Sequence, residues 1–126
     1  MAELAILERA PAAHDVQEMS AIDRRHLSRM TFGDRSLERE VLQLFDRQAA
    51  MLIERMRGSV PAVVASLAHT LKGSAAGIGA GMVARSADAA ELAAGGLPSE
   101  CSLAIDRLAE AIDEARALIA ELLRAA

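Results

Sequence analysis

The chain contains no tryptophan, no tyrosine and two phenylalanines, so its interior cannot be built on aromatic packing. Leucine, isoleucine, valine, methionine and alanine must fill the core instead, and abundant alanine favours helices that approach one another closely. There is one cysteine, Cys101, which excludes an internal disulfide and fits a reducing compartment. A basic excess is also missing. The formal charge of −4 argues against a nucleic-acid partner, which calls for a positive surface. No uninterrupted apolar run is long enough to span a bilayer, and Met1–Glu8 lacks the basic start of a signal peptide. The expectation is a cytoplasmic domain without membrane contact. No alternating strand pattern occurs either.

What is present is helical periodicity. The 126 residues suffice for one domain with a real core. Four long stretches repeat apolar residues at alternating spacings of four and three, the mark of a one-sided helix. Leu37, Val41, Leu44, Gln48 and Met51, flanked by Phe45, Leu52 and Met56, predict a helix from about Arg35 to Arg57. Val60, Val64, Leu67, Leu71, Ser74 and Ile78 predict the next. Val83, Ala87, Ala90, Ala94 and Leu97 follow, then Cys101, Ile105, Leu108, Ile112, Ala115, Ile119 and Leu122. Met19, Ile22, Leu27 and Met30 fit a shorter helix ahead of all four. Gly33-Asp34 and Gly58-Ser59 read as a stop followed by an N-cap, with Pro61 acceptable in a first turn. Gly95-Gly96-Leu97-Pro98-Ser99 separates the last two helices, and Gly77, Gly79 and Gly81 predict a tight turn before the fourth. Short connections make neighbours antiparallel. The expected fold is all-α: an up-down antiparallel four-helix bundle over residues 19–126, with the short helix capping one end. Residues 1–18 form a tail or an extra helical turn.

The segment Ala68–Ala80 carries the candidate chemistry. At about 100° per residue, the apolar positions of its helix span an arc of roughly 80°, and His69 falls about 180° from its centre. An outward imidazole offers a nitrogen nucleophile. Around it on that face lie Ala62, Ala65, Ser66, Lys72, Gly73 and Ala76, all small except Lys72. Ordinary solvated faces carry Glu, Lys, Arg and Gln, so a smooth face around one histidine reads as a landing surface for another protein. Lys72 supplies positive charge for an anion one turn on, and Gly73 removes a side chain beside the imidazole. These features predict a phosphoryl group carried on His69 between two proteins.

The other candidates are weaker. His26 falls within an apolar stripe and reads as a packing residue, and His14 as a surface one. The histidines and Cys101 show no metal spacing. Asp106, Glu110, Asp113, Glu114 and Glu121 form the solvated face of the last helix. Gly77-Ile78-Gly79 is not a phosphate loop, since no strand precedes it and no Gly-Lys-Ser/Thr is present.

The pattern His69, Lys72, Gly73 and then small residues to Gly79 resembles the signature of histidine-containing phosphotransfer (HPt) domains. Gly33–Phe45 and Ala87–Leu92 are similar to the family's helices before and after the site. Gly77 departs from it, standing where many relatives carry asparagine or a larger polar residue. The resemblance implies a phosphorelay carrier. His69 would take a phosphoryl group from the aspartate of one receiver domain and return it to another, with Lys72 assisting. The expected partners are receiver domains of hybrid histidine kinases and response regulators. Because the sequence shows no acidic cluster near His69, Mg²⁺ is expected from the receiver and no cofactor or metal from this chain. A monomer is the expected state. Two alternatives stand beside it. A sensor-kinase fragment would follow its histidine with an acidic residue, where this chain has Thr70, and the chain has no room for an ATP-binding domain. A helical adaptor would bind partners without phosphotransfer.

Overall fold

The computed structural model describes residues 20–125; residues 1–19 and Ala126, and with them the expectations for the N-terminal segment, His14 and Met19, lie outside the described residues. Helix α1 (Arg24–Met30) begins where the Asp23 carboxylate accepts from the backbone N–H groups of Arg25 and His26, an N-cap ahead of a short apolar patch. It ends at Thr31, whose hydroxyl bonds back to the Leu27 carbonyl at 2.8 Å. Gly33, at φ +70°, then turns the chain. Helix α2 (Arg35–Met56) starts at Asp34, whose side chain accepts from Leu37 N–H at 3.1 Å, as the Gly33-Asp34 pair predicts.

The buried face of α2 is not the predicted one. Leu42, Phe45, Ala49, Leu52 and Met56 are inside, whereas Leu44 is 62% exposed and Met51 53% exposed. Both registers satisfy the four-and-three spacing, and one residue of offset rotates the stripe by about 100°. The register carrying Phe45, Leu42, Leu52 and Met56 buries more apolar area than the one interrupted by Gln48, so it wins.

Helix α3 (Pro61–Ile78) buries Val64, Ala68, Leu71, Ala75 and Ile78. The centre of this face is turned by about 40° from the predicted stripe toward Ala68 and Ala75, leaving Leu67 and Ser74 half-buried. Val60, exposed, is the N-cap, not a core residue. Ser59 does not cap α3; its hydroxyl bonds back to the Arg55 carbonyl of α2. Pro61 occupies the first turn as predicted.

Of the glycines expected in the α3–α4 turn, Gly79 makes it. It sits at φ +83°, where an L side chain costs roughly 1–2 kcal/mol. Gly77 lies in the last turn of α3, and Gly81 opens helix α4 (Gly81–Ala93). The Gly79 carbonyl accepts from Asp23 N–H at 2.8 Å, and His26 Nε2–H donates to the Gly77 carbonyl at 3.1 Å. The short helix therefore caps the α3 end of the bundle, with Ile22 and Leu27 buried beneath it. A Cβ on Gly79 would stand 2.8 Å from the Asp23 carbonyl, while one on Gly77 would meet nothing within 4 Å. Gly79→Ala should lower stability by about 2 kcal/mol or more, adding a steric clash to the strained backbone. Gly77→Ala should be neutral or stabilising by up to about 1 kcal/mol. Urea unfolding of both variants checks the contrast.

Helix α5 (Pro98–Ala125) buries Ile105, Leu108, Ile112, Ala115 and Ile119 on the predicted stripe, with Ala111 alongside; Leu97 before it is exposed. α3 packs on α4, α4 on α5, and α2 on both α3 and α5, closing a ring of four long helices. Across α2 and α5, Arg57 pairs with Asp106 at 2.9 Å and Arg116 with Asp46 at 2.8 Å, and Arg39 donates to the Leu123 carbonyl at 2.9 Å. These surface contacts contribute little stability. They do record an antiparallel register, because rising numbers on α2 meet falling numbers on α5. α3 and α4 bury several small side chains, Ala68 and Ala75 on one and Ala87 and Ala90 on the other, among the larger Val64, Leu71, Ile78 and Val83.

Candidate functional site

His69 lies on the outer face of α3, and its side chain is 72% exposed, as its angular position predicts. The neighbouring helix then adds what the local pattern does not contain. Glu91, on α4, reaches His69 Nδ1 at 3.2 Å and 3.3 Å through its two carboxylate oxygens. One turn along, Lys72 Nζ donates to Asp88 Oδ1 at 2.7 Å. His69 and Glu91 lie equally far on either side of Ala80, as do Lys72 and Asp88, so both pairs follow from folding the α3–α4 hairpin antiparallel about its turn. Along the sequence no acidic cluster lies near His69; the fold brings these two carboxylates to the site from α4. Folding the sequence about Gly79-Ala80 was the signal that could have found them.

The Lys72 pKa is raised, first by its hydrogen bond to Asp88 and then by the charges of Asp88 and Glu91, so the ammonium stays protonated through the physiological range. Hydrogen bonding fixes the histidine tautomer: with a carboxylate on Nδ1, that nitrogen holds the proton. Nε2 has no partner among the described residues and carries the lone pair.

The small residues expected around the imidazole lie on α3 with it. Ala62, Ser66, Gly73 and Ala76 are exposed and Ala65 is half-buried. Ala62, Ala65, His69, Lys72, Glu91 and the exposed Leu92 share one shallow, open hollow. A Cβ on Gly73 would meet nothing within 4 Å. Gly79 forms the turn beyond the site and Gly77 does not, although both belong to the end of α3 that α1 covers. On the other flank of α3, Leu44 and Met51 of α2 add exposed apolar surface. Arg39, Asp46 and Arg57 face α5, which places Leu44 and Met51 on the opposite side of α2, toward α3. Their assignment to the core hid this surface from the sequence pattern.

Among the described residues no group of three or more His, Cys, Asp or Glu side chains could hold a metal ion, and no helix is long and apolar enough to cross a membrane. Among the described residues, fold and site together define a helical bundle that presents an exposed imidazole, flanked by an ammonium, on an open face. The family model of the Hpt domain matches residues 40–125, from within α2 to the end of α5, and the chain belongs to that family. No curated protein and no solved structure matches it. Hpt domains are phosphocarriers without kinase activity that act in histidine phosphotransfer with receiver domains in phosphorelays.

Proposed function

We propose that His69 is the phosphoacceptor of this domain and that Nε2 is the atom phosphorylated. The observation that carries the reading is the Glu91 contact: a carboxylate on Nδ1 favours the proton there and leaves the lone pair on Nε2 of a largely exposed side chain. The Nε2 lone pair attacks the phosphorus of a receiver's aspartyl phosphate in line. An N–P bond forms as the aspartyl P–O bond breaks, and the electron pair of that bond returns to the receiver's carboxylate. The Nδ1 proton stays in place, and the Glu91 carboxylate offsets the positive charge of the phosphorylated ring. Lys72 lies one turn away with a flexible ammonium that can reach phosphoryl oxygens. The receiver supplies Mg²⁺; this chain holds no resident metal.

Receivers of hybrid histidine kinases and of response regulators dock on the face framed by Ala62, Ala65, Ser66, Gly73 and Ala76, with Leu44 and Met51 as its apolar margin. The domain acts in the cytoplasm as a monomer, without autokinase or ATP-binding activity of its own. Incubation with a radiolabelled phosphoreceiver tests the reading: acid-labile label should appear on the protein, and removal of His69 should abolish it. Binding without label would assign the domain to an adaptor role instead.

Glu91 gives a sharper test of the nitrogen. Glu91→Ala should slow transfer about tenfold, the size of a charge-assisted hydrogen bond discounted for exposure, with receiver affinity nearly unchanged. Glu91→Gln retains an acceptor oxygen for Nδ1–H and should keep most of the rate. Stopped-flow or quench measurement of both variants separates chemistry from docking.

A further inference from the structure

Lys72 is not free to serve the phosphoryl group alone. Its ammonium donates to Asp88 Oδ1 at 2.7 Å, and both side chains are a little under half exposed, so the pair is neither fully screened nor desolvated. Asp88 sits one turn before Glu91 on α4, and the two carboxylates line the side of the site opposite His69 and Lys72. Glu91 has an evident task at Nδ1. Asp88 touches no reacting atom, yet its charge lies directly on the cation that faces the incoming anion.

We infer that Asp88 is a positioning residue that holds Lys72 in reserve and weakens its grip on the phosphoryl group, keeping phosphorylated His69 short-lived enough to pass its cargo on. The inference rests on His69 being the phosphoacceptor. The ammonium has three N–H donors, so it can hold Asp88 and still offer a hydrogen bond to a phosphoryl oxygen. What Asp88 changes is the field: a carboxylate in contact with the ammonium cancels part of the attraction felt by a dianion one turn away. Removing that charge tightens the hold on the phosphoryl group. No covalent bond changes at Asp88. The only rearrangement is a shift of one hydrogen-bonded cation between two anions.

Asp88→Asn isolates this effect, because the amide keeps an acceptor oxygen for Lys72 and removes only the charge. The experiment phosphorylates the full chain with phosphoramidate, which needs no receiver, removes the donor, and follows decay of the phosphohistidine signal by ³¹P NMR. Wild type, Asp88→Asn, Lys72→Ala and the double variant are compared. Asp88→Asn should lengthen the phosphohistidine lifetime about threefold, the scale of an exposed ion pair, and Lys72→Ala should shorten it. In the Lys72→Ala background, Asp88→Asn should change little, since the residue acts through the lysine. Equal lifetimes for wild type and Asp88→Asn, or the same gain without Lys72, would overturn the inference alone. Failure of the wild type to form phosphohistidine at position 69 would overturn the carrier reading and this inference together.

Discussion

His69→Gln should reduce phosphorylation from a labelled receiver to background while leaving the fold intact. Glutamine keeps a polar side chain on an exposed helical position and is a good helix former, so stability should stay within about 0.5 kcal/mol of wild type. It has no nucleophilic nitrogen, because the amide lone pair is delocalised into the carbonyl. Among the described residues His26 cannot take over: it is half-buried, and its Nε2–H is committed to the Gly77 carbonyl 3.1 Å away. Receiver binding should survive, since docking depends on the surrounding small residues and not on the imidazole. Calorimetric titration with an unphosphorylated receiver beside the labelling assay reads both properties. Label on His69→Gln at a rate near wild type would overturn the assignment.

Gly73 should separate stability from function. It lies one turn from His69 on the exposed face, in the interior of α3, with ordinary helical backbone and open space where a Cβ would stand. Gly73→Ala should therefore raise stability by up to about 1 kcal/mol, through helix propensity and a less flexible unfolded chain. Gly73→Gln should also fold. Its side chain would stand beside the imidazole, and a receiver must lie almost flat on α3 to bring its aspartyl phosphate within bonding distance. Transfer should fall tenfold or more, equivalent to a loss of at least about 1.4 kcal/mol in the docked complex. A glycine retained for folding alone cannot give a variant that is stable and inactive. Normal transfer by Gly73→Gln would show that receivers dock elsewhere, and Leu44→Asp and Met51→Asp would then locate the true face.

The site was legible in part, for reasons visible in individual residues. His69, Lys72 and Gly73 are neighbours on one helix, so their relation depends on backbone periodicity that is the same in any tertiary context. Glu91 and Asp88 belong to another helix; Ala87–Leu92 resembles the family's helix after the site, but no spacing within it assigns either carboxylate to His69 or Lys72. α2 failed differently. Its two possible stripes obey one spacing rule, and periodicity cannot choose between them. Placing Leu44 and Met51 inside removed from view the apolar surface that borders the proposed docking face. Ser59 had the chemistry of a cap and still did not form one, because its hydroxyl found the Arg55 carbonyl of the preceding helix first.

From the sequence alone follow the all-α class, the capping of α2 by Asp34, a turn within Gly77–Gly81, the buried stripe of α5 and the outward aim of His69. Each depends on interactions within a few residues, or on a single amphipathic face with no competing register. The tertiary structure alone decided which face of α2 is buried, how α1 seals the end of α3, and which carboxylates meet His69 and Lys72. Those outcomes depend on how far one helix slides and rotates against the next. Buried faces such as Ala68 and Ala75 on α3 and Ala87 and Ala90 on α4 settle that geometry together, and they are complete only once the helices have packed.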